Sequence, residues 1–451
     1  MITVGDMAPR GFTPAVMPAW APAAGAVRRA KAPFRERLLM TVLFAAVLSS
    51  CVAFIEPSPH DALMGALAIV ALAAGVRFHR ILLIPFTLLL VWNFFGLLTL
   101  FNVPDQKETV QYAATSVYLA IAALIFALIV ADKTMPRMAA LEIAYVMAAM
   151  ISALCGIAGY FHLVPGAAMF TLYDRAMGMF KDPNVYGPFL ILPLLFLLQH
   201  MIVKRINLLS LAVAGIIMFG LLLGFSRGSW FAFAVGLAVV IVLSFLTAPT
   251  PKVRMRIIGL SIAGLAALAV LLVLLLTMTS LGSMFSTRAQ LIQSYDVGTG
   301  GRFVLQELAI GSVLEFPNGM GPFEFSRIFG LQQHNVYLQA FLVYGWGGGF
   351  AYVLLVLTTL WVGFANALKC RPWQGYAIAA IGTFFGVALE GFIIDTDHWR
   401  SFFLVLGLIW GLAAATRAAG KDLPAAATMV APREAPPYSP RRSGRGVAQP
   451  G

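Results

Sequence analysis

Three arginines and a histidine stand apart in this sparsely charged chain: Arg227, Arg288, Arg302 and His334. Three of the four sit at signals for a turn or a helix start, in Ser226-Arg227-Gly228-Ser229, Gly300-Gly301-Arg302 and His334-Asn335. A guanidinium forks onto two phosphate oxygens and stays charged. A helix N-terminus adds unpaired N–H groups and a partial positive charge. Together these groups make a candidate site for a doubly charged phosphate. Asp182-Pro183-Asn184 has the same form, a capping Asp followed by Pro at the first helical position. It adds Asp182 and Asn184 to the candidates, beside Asn335 and the ring of Tyr337. His334, with a reference pKa of ~6.5, could remove a proton from a hydroxyl or orient a phosphate. Guanidinium groups supply the positive charge, so neither a metal nor another cofactor is expected.

The elements that must carry these residues follow from composition. The chain has 451 residues, 60% hydrophobic and 11% charged, with a mean hydropathy of +0.86. That is too apolar for a soluble core and predicts an all-α, polytopic integral membrane protein. Twelve apolar runs approach the ~20 residues a helix needs to cross a bilayer. They are 38–55, 62–76, 81–101, 112–131, 138–162, 184–203, 206–225, 228–247, 255–281, 335–365, 376–394 and 400–416. The runs are continuous rather than alternating, which excludes barrel strands. Residues 1–37 form a basic segment without an apolar core, so no cleavable signal peptide is expected and the first span acts as an anchor. The transmembrane domain covers 38–417. The tail 418–451, rich in Pro, Arg and Ala, is expected to be disordered. Cys51, Cys155 and Cys370 fall in or beside different spans and give no disulfide framework.

A net charge of +12 raises the question of nucleic acid. Its distribution answers it. With the N-terminus in the cytoplasm, alternating segments on that side hold 23 of the 31 Lys and Arg residues. The positive-inside rule accounts for the excess without a nucleic-acid partner and places both termini in the cytoplasm. The cytoplasmic loops carry no Walker loop and no dinucleotide fingerprint. On the outer side stand a loop at 163–183 and a segment of about fifty residues, 282–334, between spans nine and ten. A segment that long is expected to be functional. Within it, 302–314 has apolar residues at helical spacing and predicts a helix on the membrane surface.

Five stretches share an order that is familiar. Gly-Phe-Ser-Arg-Gly-Ser-Trp (224–230), Gly300-Gly301-Arg302, Pro-Asn-Gly-Met-Gly-Pro (317–322), His-Asn-Val-Tyr-Leu (334–338) and Tyr-Gly-Trp-Gly-Gly-Gly (344–349) resemble the O-antigen ligase and polymerase family. Lys-Asp-Pro-Asn-Val-Tyr-Gly-Pro-Phe (181–189) is similar to a segment of its exopolysaccharide-related members. The resemblance covers roughly 140–365, and the whole chain in span count and long outer segment. It implies transfer of a glycan from undecaprenyl diphosphate to an acceptor at the periplasmic face of the bacterial inner membrane, with inversion at the anomeric carbon. It implies Arg227, Arg302 and His334 as essential residues and Arg288 as a further contact. Two acceptors fit: lipid A–core for an O-antigen ligase, or a second carrier-linked repeat for an O-antigen or exopolysaccharide polymerase. The Arg/Arg/His set leans toward the ligase and the Asp-Pro-Asn segment toward the polymerase.

A small-solute transporter shares this composition, but it needs paired charges near the bilayer midplane, and hardly any stand there, the candidate site charges gathering at the outer surface. Asp395-Thr396-Asp397 has the form of an Asp-x-Asp metal motif but is read as an exposed turn before His398-Trp399-Arg400. Glu142 and Glu390 are expected to snorkel at span ends. Tyr160, Phe161, Trp230, Tyr337 and Trp399 fit an interfacial aromatic belt.

Overall fold

The computed structural model describes residues 33–103, 106–204, 206–277, 282 and 301–421. Arg288, most of the N-terminal segment and the tail from 422 lie outside the described residues. A helix stands at each of the twelve apolar runs. Before the outer segment these are α1 (Phe34–Ser49), α2 (Pro59–Ala73), α3 (Leu83–Thr99), α4 (Gln106–Ala131), α5 (Thr134–Tyr160), α6 (Pro183–Val203), α7 (Leu208–Leu223), α8 (Arg227–Leu246) and α9 (Pro251–Thr277). Within the outer segment lie α10 (Arg302–Glu315) and the short α11 (Glu324–Phe329). The last three are α12 (Val336–Ala367), α13 (Gln374–Glu390) and α14 (Arg400–Lys421). The only strands among the described residues are β1 (Thr171–Leu172) and β2 (Arg175–Ala176), a two-residue antiparallel hairpin.

The chain is therefore a polytopic all-α membrane protein. Eight helices among the described residues are long and apolar enough to cross a bilayer: α3, α4, α5, α6, α8, α9, α12 and α14. The other four fall short by length, α1, α2, α7 and α13 having 16, 15, 16 and 17 residues.

Lipid gives helices no hydrophobic reason to associate, so close packing through small residues must do it. The bundle uses this twice. Gly407 and Gly411 of α14 lie against the carbonyls of Ala123 and Ala127 on α4. Gly382 and Gly386 of α13 face Gly236 and Ala232 of α8 in the same way. A Cβ at any of these glycines would strike backbone. Overpacking typically costs about 1–3 kcal/mol, and here backbone must move, so Gly386→Leu is expected to lower the thermal midpoint of detergent-solubilised protein. Fluorescence-detected gel filtration after heating reads this directly, and an unchanged midpoint would contradict the α8–α13 contact.

α12, the helix at the 335–365 run, is not straight. It kinks at Gly345, whose φ of 65° and ψ of −175° suit only glycine. The break frees backbone groups that lipid cannot satisfy, and the 317–322 turn satisfies them. Met320 N–H donates to Leu342 O at 2.7 Å, and Trp346 N–H donates to Pro317 O at 2.8 Å. Trp346 Nε1–H reaches Val313 O of α10 at 2.9 Å. A small second core of Leu305, Ala309, Met320, Phe325 and Leu342 completes the seat. The two glycine-rich motifs at 317–322 and 344–349 thus dock α10, with Arg302 at its start, onto α12. The opposite side of α10 leaves Phe303, Ile310 and Leu314 exposed, as expected for a helix at a membrane surface.

Candidate functional site

Helix starts converge at one end of the bundle. Asp182 caps α6 by accepting from Asn184 N–H at 2.7 Å, with Pro183 at the first position. Ser226 caps α8, accepting from Ser229 N–H at 3.4 Å. Asn335 caps α12, accepting from the N–H groups of Tyr337 and Leu338 at 3.0 and 3.1 Å. The three helix starts fall where the sequence placed them, and Asp182 is the cap expected there. They meet around the end of α13: Gly187 of α6 lies against Ser229 of α8, and Gly228 against the Glu390 carboxylate. Ser229 Oγ donates to Glu390 Oε1 at 3.5 Å, and Val336 N–H to Gly391 O at 2.8 Å. Glu390 is 1% exposed, so it does not snorkel. The α8 and α12 starts close over it.

Arg302 enters this cluster from α10. Gln306, one turn further and on the same face, donates its amide to His334 O at 3.3 Å and Phe392 O at 3.2 Å. The helix therefore presents Arg302 toward His334, and the two interact electrostatically. His334 sits at φ 51°, a left-handed conformation that costs a non-glycine residue energy and gathers at functional sites. Burial and the neighbouring Arg302 charge lower its pKa below the ordinary 6.5, against an opposing pull from Asp182. At neutral pH the imidazole is neutral.

Sequence reasoning also missed Arg175. From the start of β2, Arg175 donates Nε–H to Gly224 O at 2.9 Å and Nη2–H to Asn184 Oδ1 at 2.8 Å. It ties the α6 start to the turn before Arg227, the first residue of α8. Asn184 thus spends its carbonyl on a protein partner. Tyr337 does likewise: its hydroxyl donates to Ala388 O at 2.6 Å and its ring lies 4.5 Å from Phe392. The structure therefore brings Arg302, His334, Asn335 and Asp182 to one place. The start of α8, whose first residue is Arg227, reaches the same region through Gly228, which lies against Glu390, and Asn184 and Tyr337 act there as braces.

The largest departure from the sequence-based expectation is the connection between α13 and α14. Asp395-Thr396-Asp397 is no exposed turn. Thr396 and Asp397 are 1% and 3% exposed, and the Asp395 side chain only 21%. Trp399, expected in the aromatic belt, is buried as well. Asp397 accepts from Tyr112 O–H at 2.6 Å and lies 3.1 Å from His398 Nδ1. Burial pushes its carboxyl up, but His398 and the Tyr112 bond outweigh this and hold it below the usual range. Asp395 goes the other way. Burial, then the adjacent Asp397 charge, raise it to about 7, against the Asn335 backbone bond, Arg302 and His398. Gln333 Nε2–H reaches Asp395 Oδ1 at 3.4 Å, and His334 Nδ1 stands 3.8 Å from Oδ2. Two carboxylates with separated proton affinities form a pattern typical of acid–base sites.

Both carboxylates line a cleft of about 940 Å³. Its walls come from the starts of α2, α4, α12 and α14 and from the outer segment, through residues such as Asp61, Tyr112, Gln339, Arg400 and Phe323. Arg400 forks onto Asp61 at 2.9 and 2.8 Å, fixing α14 to α2. Carboxylates thus line the cleft, and Asp395, 3.8 Å from His334 Nδ1, connects it to the neighbouring Arg302–His334 cluster. Among the described residues, no three His, Cys, Asp or Glu side chains are grouped to hold a metal ion. Comparison of the sequence with models of known families and with characterised proteins finds no match.

Proposed function

We propose that the protein is a glycosyltransferase that moves a glycan from undecaprenyl diphosphate to an acceptor hydroxyl. It spans the bacterial inner membrane twelve times, with both termini in the cytoplasm and the cleft open to the periplasm. In this topology α2, α4, α6, α8, α12 and α14 all begin on the outer side, where the cleft lies. The observation that carries the reading is the convergence of Arg302, His334 and three helix starts beside a cleft holding a carboxylate that titrates at about 7.

Periplasmic transfer has no nucleotide sugar to draw on, so the donor must bring its own leaving group. In the proposed step the acceptor oxygen attacks the anomeric carbon. The C1–O bond to the diphosphate breaks and the diphosphate departs with the electron pair. Arg302, Arg227 and the α8 and α12 N-termini stabilise the charge that grows as the bond breaks, which lowers the barrier more than it strengthens ground-state binding. Asp395 takes the acceptor proton. Neutral His334, one contact from both Arg302 and Asp395, donates from its ring to the leaving phosphate. Arg288 remains a candidate contact in the 282–300 stretch. Displacement from the opposite face inverts the anomeric centre, and no step requires a metal.

The test is incubation of the purified protein with a carrier-linked glycan and an acceptor, followed by separation of lipid products. Release of undecaprenyl diphosphate coupled to acceptor growth is expected. Uptake of a small solute into liposomes without any glycan transfer would replace this reading with a transporter.

A further inference from the structure

Behind the cleft lies a second space that the transfer reaction does not use. It is a cavity of about 50 Å³ inside the bundle, and His398 and Arg400 line both it and the cleft. Ser50 just after α1, His60 at the start of α2, Tyr145 near the middle of α5 and Ser401 in the first turn of α14 supply the rest of its polar wall. We propose that this cavity binds a small cluster of water molecules, held between α1, α2, α5 and α14 and reaching the back of the Asp397–His398 pair. The proposal stands apart from the transferase reading.

Tyr145 is the first ground. It is 1% exposed, and its hydroxyl has no hydrogen-bond partner among the described residues. An unmet buried hydroxyl is costly, so such groups are nearly always paired, with protein or with water. Tyr145 also borders a smaller space of about 10 Å³, which it shares with Ser401 and Thr383. His60 is the second ground. It is 3% exposed, and its Nδ1 lies 2.7 Å from Ala46 O. A carbonyl only accepts, so Nδ1 carries the proton. Nε2 makes no hydrogen bond among the described residues, and in the neutral ring it is an acceptor. An unmet donor and an unmet acceptor thus border one cavity.

Volume is the third ground. A water needs roughly 10–15 Å³ of such space and two to four polar partners, so about three fit here. Ser50 Oγ donates to Val47 O at 2.6 Å and keeps its lone pairs for them. Cavities that stay dry are apolar, whereas a guanidinium, two imidazoles and three hydroxyls line this one. Water held there hydrates Arg400 and His398 from the interior, at the base of the loop that carries Asp395 and Asp397.

X-ray radiolysis of the full-length protein in detergent makes hydroxyl radicals wherever water is bound, and mass spectrometry reads the oxidation of each residue. Tyr186 is the internal control. It is 0% exposed and its hydroxyl is equally unpartnered, but Gly156 and Gly220 press so close that a Cβ at either would strike its oxygen. Tyr145 is expected to oxidise roughly tenfold faster than Tyr186, because water is bound at one and not the other. Equal rates overturn the proposal, as does a silent Tyr145. Tyr145→Phe gives a second reading. With water in place the variant strands its hydrogen bonds and the thermal midpoint falls. In a dry cavity only an unmet hydroxyl is lost, and a midpoint that holds or rises overturns the proposal. Neither measurement involves glycan transfer, so the water site and the transferase fail separately.

Discussion

Replacing Arg302 with alanine is expected to lower glycan transfer by about 10²–10³-fold, the loss typical of removing one preorganised donor to developing negative charge. Expression and membrane insertion should be unchanged, because Arg302 is half-buried at the first turn of a helix held by other contacts. Leu305 and Ala309 seat α10 against α12, and Trp346 bonds its carbonyl at Val313. Lysine at the same position keeps the charge but loses the fork onto two oxygens, so Arg302→Lys should recover only part of the rate. A second signature separates this role from a structural one. The Arg302 charge lowers the proton affinity of both His334 and Asp395. Without it, both groups should titrate at higher pH, and the pH–rate curve of the alanine variant should move upward. Wild-type transfer by Arg302→Ala, measured on purified protein, would remove this residue from the site.

The parts of this molecule that could be read from sequence are those written locally. Asp182, Ser226 and Asn335 cap their helices because a capping side chain needs only backbone two or three residues away. Apolar runs mark helices for the same reason, although four of them fall short of a full span. What escaped is written between distant residues. Asp397 is buried by a bond from Tyr112, 285 positions earlier, and no window around 395–397 contains that information. The kink at Gly345 exists because Pro317 and Met320 dock into it, so a glycine run inside an apolar stretch reads as plain helix. Gln306 and Arg175 give no signal of their own, because surface-type residues on a short helix and a loop have many uses. One clue to Asp395 was available. Topological parity puts the 391–399 connection on the same side as His334, and two carboxylates beside a histidine there form an acid–base set.

That set yields the second prediction. If Asp395 takes the acceptor proton, transfer should rise with pH through a limb near 7, then level off. Asp395→Asn should remove the limb and leave a slow, flat rate, since a positioned base contributes about 10²–10⁴-fold. His334 shifts the opposite way, below its ordinary value through burial and the Arg302 charge, so its replacement by glutamine should lower the rate and keep the limb, whereas Asp395→Asn removes it. The stability consequence carries the opposite sign. A carboxyl raised from its ordinary 3.8 to about 7 is protonated more readily in the folded protein than in the unfolded chain. Its contribution to stability is present in full below the unfolded value and is lost as pH rises through 7. The protein is thus most active where this one group stabilises it least, and Asp395→Asn should remove the group's share of the fall in thermal midpoint between pH 5 and pH 8. A wild-type rate that is flat from pH 6 to 8 would take the proton away from Asp395 and leave it a brace between Gln333 and the start of α12.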